Sequence, residues 1–419
     1  MRLGRRAAQF VSRILGRRPS LLFELQEGGL KLSYAALDLK MATWVVRRPE
    51  WLLKKPGPPA ELIDAEAQFG PATPDLELAA RTIAAYGPQP SAGDTVATDS
   101  IWGHLLQTHF AEQCRHLSNR DRDGMADFQS RLFRSTAVNG FSYGSTFDDW
   151  PHRWHYLPIH IELSVVQLAE ALGVLRTECH EQGEIAFWRS LMSAEDLMAA
   201  LDAAVGFRIE QPAVGNPRGI IFGGRFLTRE TCSQIYTAYR VRQAIERADL
   251  PTPLDIVEIG GGFGGTCYWM HRTLGDNLGR YVIVDLPEVS LIQASFLGQA
   301  TQDLLVLPGE ARRPGKRSIE LVVHTDLDTI DFQPAVVINQ DSMPEMPRSE
   351  VVRYLSWIDE NLRGLFFSFN QETLSQGGSE AQINVPALVK EMPRLKRTSR
   401  ELSWDRRGYV EEIYASSPV

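Results

Sequence analysis

The residues in this 419-residue chain whose types and spacing best suit chemistry are a run of glycines beside acids, Val257 to Thr266, reading VEIGGGFGGT. Gly260, Gly262 and Gly264 or Gly265 would let the backbone turn sharply and approach a ligand, because any side chain there would block the approach. A helix starting just afterwards would aim unpaired N–H groups at the same ligand. The mostly apolar run Leu254 to Ile259 ahead of the glycines reads as a strand, which makes the whole a strand, turn and helix start. A second apolar run, Tyr281 to Val284, ends in Asp285, where a neighbouring strand would present a carboxylate to ribose hydroxyls. A third, Ala335 to Ile338, delivers Asn339, Gln340 and Asp341 to the crevice at the carboxyl ends of such strands.

The glycine spelling serves two cofactors. Gly260, Gly262 and Gly265 satisfy the dinucleotide fingerprint G-x-G-x-x-G. Glu258, Gly260, Gly262 and Gly264 equally satisfy the acid-x-Gly-x-Gly-x-Gly pattern of S-adenosylmethionine-dependent methyltransferases. Three pieces occur in one order: Ile256-Val-Glu-Ile-Gly-Gly-Gly, Val284-Asp-Leu-Pro-Glu and Asn339-Gln-Asp-Ser-Met-Pro-Glu-Met. With Gly223-Gly-Arg-Phe-Leu-Thr ahead of them, they resemble the sugar O-methyltransferase family of bacteria over roughly residues 215 to 415. The resemblance implies S-adenosylmethionine rather than NAD, held by Glu258, Gly260, Gly262, Gly264, Asp285 and Asn339, with Glu258 acting by charge on the amino group. It also implies methyl transfer to a sugar hydroxyl of a glycan, nucleotide sugar or glycosylated metabolite. An NAD-dependent oxidoreductase using the same turn, and a non-catalytic glycan- or cofactor-binding protein, are the alternatives.

Methyl transfer is an in-line displacement, so most of the work is holding the acceptor oxygen and methyl carbon within about 3–3.5 Å of each other. A sugar hydroxyl is too weak an acid to ionise at neutral pH, so a base is also needed. Asp341 and Glu345 are the acids delivered beside the cofactor and not required by it. Glu345-Met346 matches the family pattern best, which ranks Glu345 above Asp341, with His324 third. The competing role for Glu345 is to orient the helix that starts near Pro347. Glu310, Thr325 and Asp326 are candidates for the adenine contact, and Tyr236, Tyr239 and Arg240 lie on a helix where packing competes with cofactor contact.

The elements that must position these groups imply a Rossmann-like, doubly wound α/β sheet of seven strands, the methyltransferase pattern, closed by an antiparallel pair over Leu395 to Trp404 and Gly408 to Tyr414. The apolar runs Leu304 to Leu307 and Ile319 to Val323 read as strand three with a hairpin or a split edge. Thr228 is placed to cap a helix reaching about Arg247. Length and 43% hydrophobic content suit two domains: a basic tail over 1–18, a mainly α-helical N-terminal domain over 19–214 for acceptor, lid or oligomer contacts, and the cofactor domain over 215–419.

Between the N-terminal helical patterns, Phe141 to Pro158 is dense in aromatics and histidines. Its Asp149, Trp150, His152 and His155 suit stacking on a sugar and bonding to its hydroxyls, while packing of a domain interface is the alternative. The histidines follow no metal-ligand spacing, so no metal is expected. A net charge of −8 and a pI near 5.7 argue against a nucleic-acid partner. Four cysteines without a C-x-x-C pair point to a reducing cytoplasm, and Cys267 reads as a small packing residue. No apolar run is long enough to span a bilayer. Arg2, Arg5, Arg6, Arg13, Arg17 and Arg18 leave two readings of the tail, a solvated segment or weak peripheral contact with anionic membrane. Nothing in the sequence fixes the oligomeric state.

Overall fold

The computed structural model describes residues 61–87, 108–142, 144, 157–176, 192–301, 304–313, 315–372, 383–404, 406 and 408–417. All of them belong to one compact unit made of residues 58–178 and 191–419. The tail 1–18 and the loop residues Asp149, Trp150, His152 and His155 lie outside the described residues.

In chain order the unit begins with β1 (Leu62–Asp64), α1 (Ala65–Phe69), α2 (Leu76–Tyr86), α3 (Ala111–Ser118), α4 (Arg122–Ser130), α5 (Leu157–Ala171) and α6 (Ala194–Val205). Among the described residues this half is therefore mainly helical. A short hairpin follows, β2 (Arg218–Phe222) and β3 (Arg225–Leu227), turned by Gly223 and Gly224, both at positive φ. Then come α7 (Arg229–Arg247), β4 (Leu254–Ile259), α8 (Gly265–Leu274), β5 (Leu278–Asp285), α9 (Pro287–Thr301), β6 (Leu305–Val306), β7 (Ser318–Val323) and β8 (Val336–Gln340). The chain continues with α10 (Arg348–Asn361), β9 (Leu365–Gln371), α11 (Val385–Val389), β10 (Leu395–Leu402) and β11 (Tyr409–Ser416). Thr228 caps α7 as expected, in a reciprocal box with Thr231.

The main sheet runs β10-β11-β9-β8-β4-β5-β7-β6. β4 is parallel to β5 on one side and to β8 on the other, and β11 enters antiparallel between β9 and β10. The sheet has eight strands rather than the seven read from the sequence. The extra one is the two-residue edge β6, which pairs parallel with β7 through Leu305 and Ile319; of the two readings of these runs, a hairpin or a split edge, the parallel pairing excludes the hairpin. From β4 the chain moves outward through β5 to β7, then returns to β8 on β4's other flank. That reversal opens a crevice at the carboxyl ends of β4 and β8.

Both faces of the central strands are covered, which is why they read as continuous apolar runs. On one face Val257, Ile259, Val282, Val284 and Val337 pack against Val351, Leu355 and Ile358 of α10. Elsewhere Phe263, just after β4, meets Phe296 of α9 and Phe133 edge to face, with centroids 5.0 and 5.2 Å away. Segments on both sides of residue 214 thus share one core. β1 pairs with β2, α2 packs on α9, and Arg81 of α2 forks onto Glu310 at 2.7 and 2.8 Å. The compact body therefore does not divide at 214/215.

Candidate functional site

Six of the residues singled out from the sequence line the carboxyl ends of β4, β5 and β8. Gly260 sits at φ 71° and Gly262 at φ 54°, a left-handed backbone that favours glycine. A Cβ on Gly260 would lie 2.2 Å from Ser342 Oγ, so the turn is pressed against the segment after β8. Among the described residues, the atoms nearest to a Cβ on Gly262 would be those of the Phe141 ring, at 3.4 Å. Gly264 is the N-cap of α8, at φ 93° and without a side-chain cap, so first-turn N–H groups of that helix lack partners within it.

Asp285 ends β5. One carboxylate oxygen accepts from the Gly261 N–H at 2.9 Å and from Gln293 Nε2 at 2.7 Å, and the other from the Leu286 N–H at 2.8 Å. The side chain is half-buried by surface area, but a dense surrounding shell of protein pushes its pKa up to about 7 despite these bonds. Gln293 also donates to the Gly262 carbonyl at 3.0 Å, so one amide couples the acid to the turn.

Glu258 lies inside the protein, 1% exposed, accepting a hydrogen bond from Tyr281 at 2.9 Å. Burial, together with the charge of Asp285, drives its pKa up to about 8. A Cβ on Gly261 would come within 3.4 Å of this carboxyl group, which therefore lies against the turn. Asn339 is also fully buried. Its amide donates to the Ile259 carbonyl at 2.8 Å and to Ser342 Oγ at 2.6 Å, and its carbonyl accepts from Asn370 at 2.9 Å. It ties β8 to the end of β4.

Asp341 follows β8 with a left-handed backbone, φ 59°, uncommon for a non-glycine residue. Its carboxylate is held by Arg406 at 2.7 Å and by the Tyr409 hydroxyl at 2.8 Å, and the Arg406 guanidinium stacks 3.7 Å from the Tyr409 ring centre. Burial and the Asp341 charge raise the Tyr409 pKa. Glu345 is exposed and ends a 3-10 turn, Met343–Glu345. The N-cap of α10 is Pro347, without a side-chain cap.

His324 stands just past β7, half-buried, its pKa lowered chiefly by burial. Three strand spacings separate β7 from β8, roughly 14 Å at about 4.8 Å each, which puts His324 on the Asp285 side of the crevice and away from Asp341 and Glu345. Thr325 and Asp326 are exposed on the same side. Glu310 is turned away to the edge by Arg81, which removes it from the adenine candidates. Tyr236 and Arg240 bond to Glu411 of β11 at 2.6 and 2.7 Å and serve packing. Cys267 is buried, and burial pushes its thiol pKa up. Among the described residues no cluster of His, Cys, Asp or Glu could hold a metal ion, and no helix is long and apolar enough to cross a membrane.

Reasoning from the sequence missed Gln293, Ser342, Arg406 and Tyr409. Gln293 had a signal, a lone amide inside the apolar stretch Leu291 to Leu297, since a buried amide needs partners. Arg406 and Tyr409 had none, because their position depends on strand order.

No protein-family model and no curated protein matches the sequence. Among solved structures, the pyocyanin biosynthetic protein PhzM (10% identity, TM-score 0.32) and the mitomycin 7-O-methyltransferase MmcR (15%, 0.33) each align over 45% of this chain. The chain spans 56% of the length of each. The magnesium protoporphyrin IX methyltransferase ChlM of Synechocystis PCC 6803, with bound SAH, aligns over 44% of this chain and 87% of its own at 13% identity and TM-score 0.32. Likeness of this degree adds nothing to what the site does, which rests on the residues described above.

Proposed function

We propose that this chain is an S-adenosylmethionine-dependent O-methyltransferase acting on a sugar hydroxyl. The observation that carries the reading is the crevice at the carboxyl ends of β4 and β8, with the left-handed glycine turn on one wall and Asp285 at the end of the adjoining strand. The residues present fit such a cofactor: a carboxylate for ribose hydroxyls at the end of β5, a left-handed glycine turn at the end of β4, and the N-terminal N–H groups of α8 for its carboxylate. The antiparallel β11 inserted beside β9 favours this over a dinucleotide oxidoreductase, whose sheet is mostly parallel.

When bound, the cofactor supplies an electrophilic methyl group. The chain's own part is to position the acceptor and take its proton. Glu345, exposed on the turn that follows β8, is the base in this reading, whereas Asp341, both of whose oxygens are engaged by Arg406 and Tyr409, is a positioning residue. Sugar contacts are assigned to Asp149, Trp150, His152 and His155 on the chemistry of their side chains, aromatic faces for stacking and polar groups for hydroxyls.

S-adenosylhomocysteine should raise the melting temperature and NADH should not. Labelled S-adenosylmethionine incubated with cell extract should place label on a glycan or glycosylated metabolite. Glu345→Gln should keep cofactor affinity and lose about a hundredfold in turnover, the low end for a general base. Unchanged turnover in Glu345→Gln together with collapse in Asp341→Asn would transfer the role to Asp341.

A further inference from the structure

A glutamine outside the glycine motif touches both the glycine turn and the acid beside it. Gln293 lies on α9, eight residues after Asp285, and is fully buried. Its amide nitrogen donates to Asp285 at 2.7 Å and to the Gly262 carbonyl at 3.0 Å, so the two amide hydrogens have these two acceptors. The Asp285 oxygen that it meets also accepts from the Gly261 N–H at 2.9 Å, which closes a ring through turn, carboxylate and amide. One helical turn further on, Leu297 of the same helix would stand 2.8 Å from a Cβ on Gly264, so α9 lies against the turn at two points.

The other end of the amide shows what this arrangement costs. Gln293 Oε1 is buried without a hydrogen-bond partner, and an unmet buried acceptor lowers stability. Turning the amide over would not relieve it, because the oxygen would then face a carboxylate and a carbonyl, both acceptors. A methionine would fill a similar volume with no oxygen to satisfy. Packing alone therefore does not account for a glutamine here, whereas a need for two donors does. The bond to Asp285 favours the ionised carboxylate and offsets part of the burial that raises its pKa. The other titratable groups that sense this carboxylate are Glu258 of β4, Tyr86 of α2 and Tyr354 of α10. Of these, Glu258, with a pKa of about 8, titrates closest to neutrality.

We propose that Gln293 is a positioning residue of the cofactor site, which sets the Asp285 carboxylate as acceptor for the ribose hydroxyls and fixes it to the glycine turn with the same amide. This rests on the S-adenosylmethionine reading above and brings α9 into it.

The test is affinity for S-adenosylhomocysteine, measured by calorimetry across the neutral and alkaline range in the parent, in Gln293→Met and in Gln293→Asn, which withdraws the amide by one methylene. Melting temperatures establish that each variant is folded. Without the donor the ionised carboxylate is less favoured, so the rise of affinity with pH should move upward by about one to two pH units, the equivalent of one charge-assisted bond. Near neutral pH the variants should bind about tenfold more weakly than the parent, and the gap should narrow as pH rises. Methylthioadenosine, which keeps the ribose and lacks the amino-acid end, should show the same displacement, and Asp285→Asn should abolish the rise in every background. A loss by one constant factor at all pH values, or no loss, overturns the proposal. So does a displacement confined to S-adenosylhomocysteine, or a rise that survives in Asp285→Asn, which would belong to Glu258. A parent that binds neither ligand at any pH sinks the methyltransferase reading itself.

Discussion

Asp285 and Glu258 are both acids at the glycine turn, yet their surroundings give them different work. Asp285, with a pKa near 7, is poised so that its charge state changes across the neutral range. The ionised carboxylate is the stronger acceptor for ribose hydroxyls, so affinity for S-adenosylhomocysteine should rise as pH increases from 6 to 8. Asp285→Asn should bind more weakly and with no such slope, a loss of roughly 1.5–3 kcal/mol per charged bond at the alkaline end. Calorimetry at three pH values decides it, and a parallel slope in the variant would place the titrating group elsewhere. Asp285 was legible because its strand is an apolar run that ends in an acid. The surroundings of Glu258 were not legible, since its burial, which raises its pKa, and the Tyr281 hydroxyl that bonds to it from 23 residues away depend on the neighbouring strand, and a one-dimensional motif carries no information about which side of a strand end is wet.

β4 was read from the sequence with the bounds it has, Leu254–Ile259, because a strand covered on both faces and ended by glycine announces both of its ends. The direction in which a strand pairs is a different matter. Leu305–Val306 is too short to show a period, and its parallel pairing with β7 is set by the route of the crossover, so the sequence left a hairpin and a split edge both open. The turn after β4 offers a check on how tightly the elements are fitted. Gly260→Ala must adopt a left-handed backbone, costing at least about 1–2 kcal/mol, and must also displace Ser342 from the Ile259 carbonyl. Denaturant unfolding should show the loss, and adding Ser342→Gly should restore part of it. A midpoint unchanged by Gly260→Ala would mean that the turn is not fixed against the segment after β8.

The sequence divides by composition near residue 214, where helical patterns give way to alternating strands and helices, but composition does not report what packs on what. Phe133 against Phe263, Leu78 against Gly298 and β1 against β2 make the earlier helices part of the same core. A chain of residues 215–419 alone should therefore fail to melt cooperatively by circular dichroism, because it exposes the apolar faces these contacts cover; a sharp transition like that of the full chain would show the later half to be autonomous. The inserted strand carries a further consequence, for biosynthesis. β11 is translated after β10 yet must enter between β10 and β9, so while the polypeptide is being made, Leu365–Gln371 shows a bare row of backbone donors and acceptors that its immediate successor in sequence cannot cover. Such an edge is a template for pairing with other nascent chains. The interval between synthesis of β9 and of β11 is when that edge lies uncovered, and Arg406 and Tyr409, which clasp Asp341, arrive with the strand that ends it.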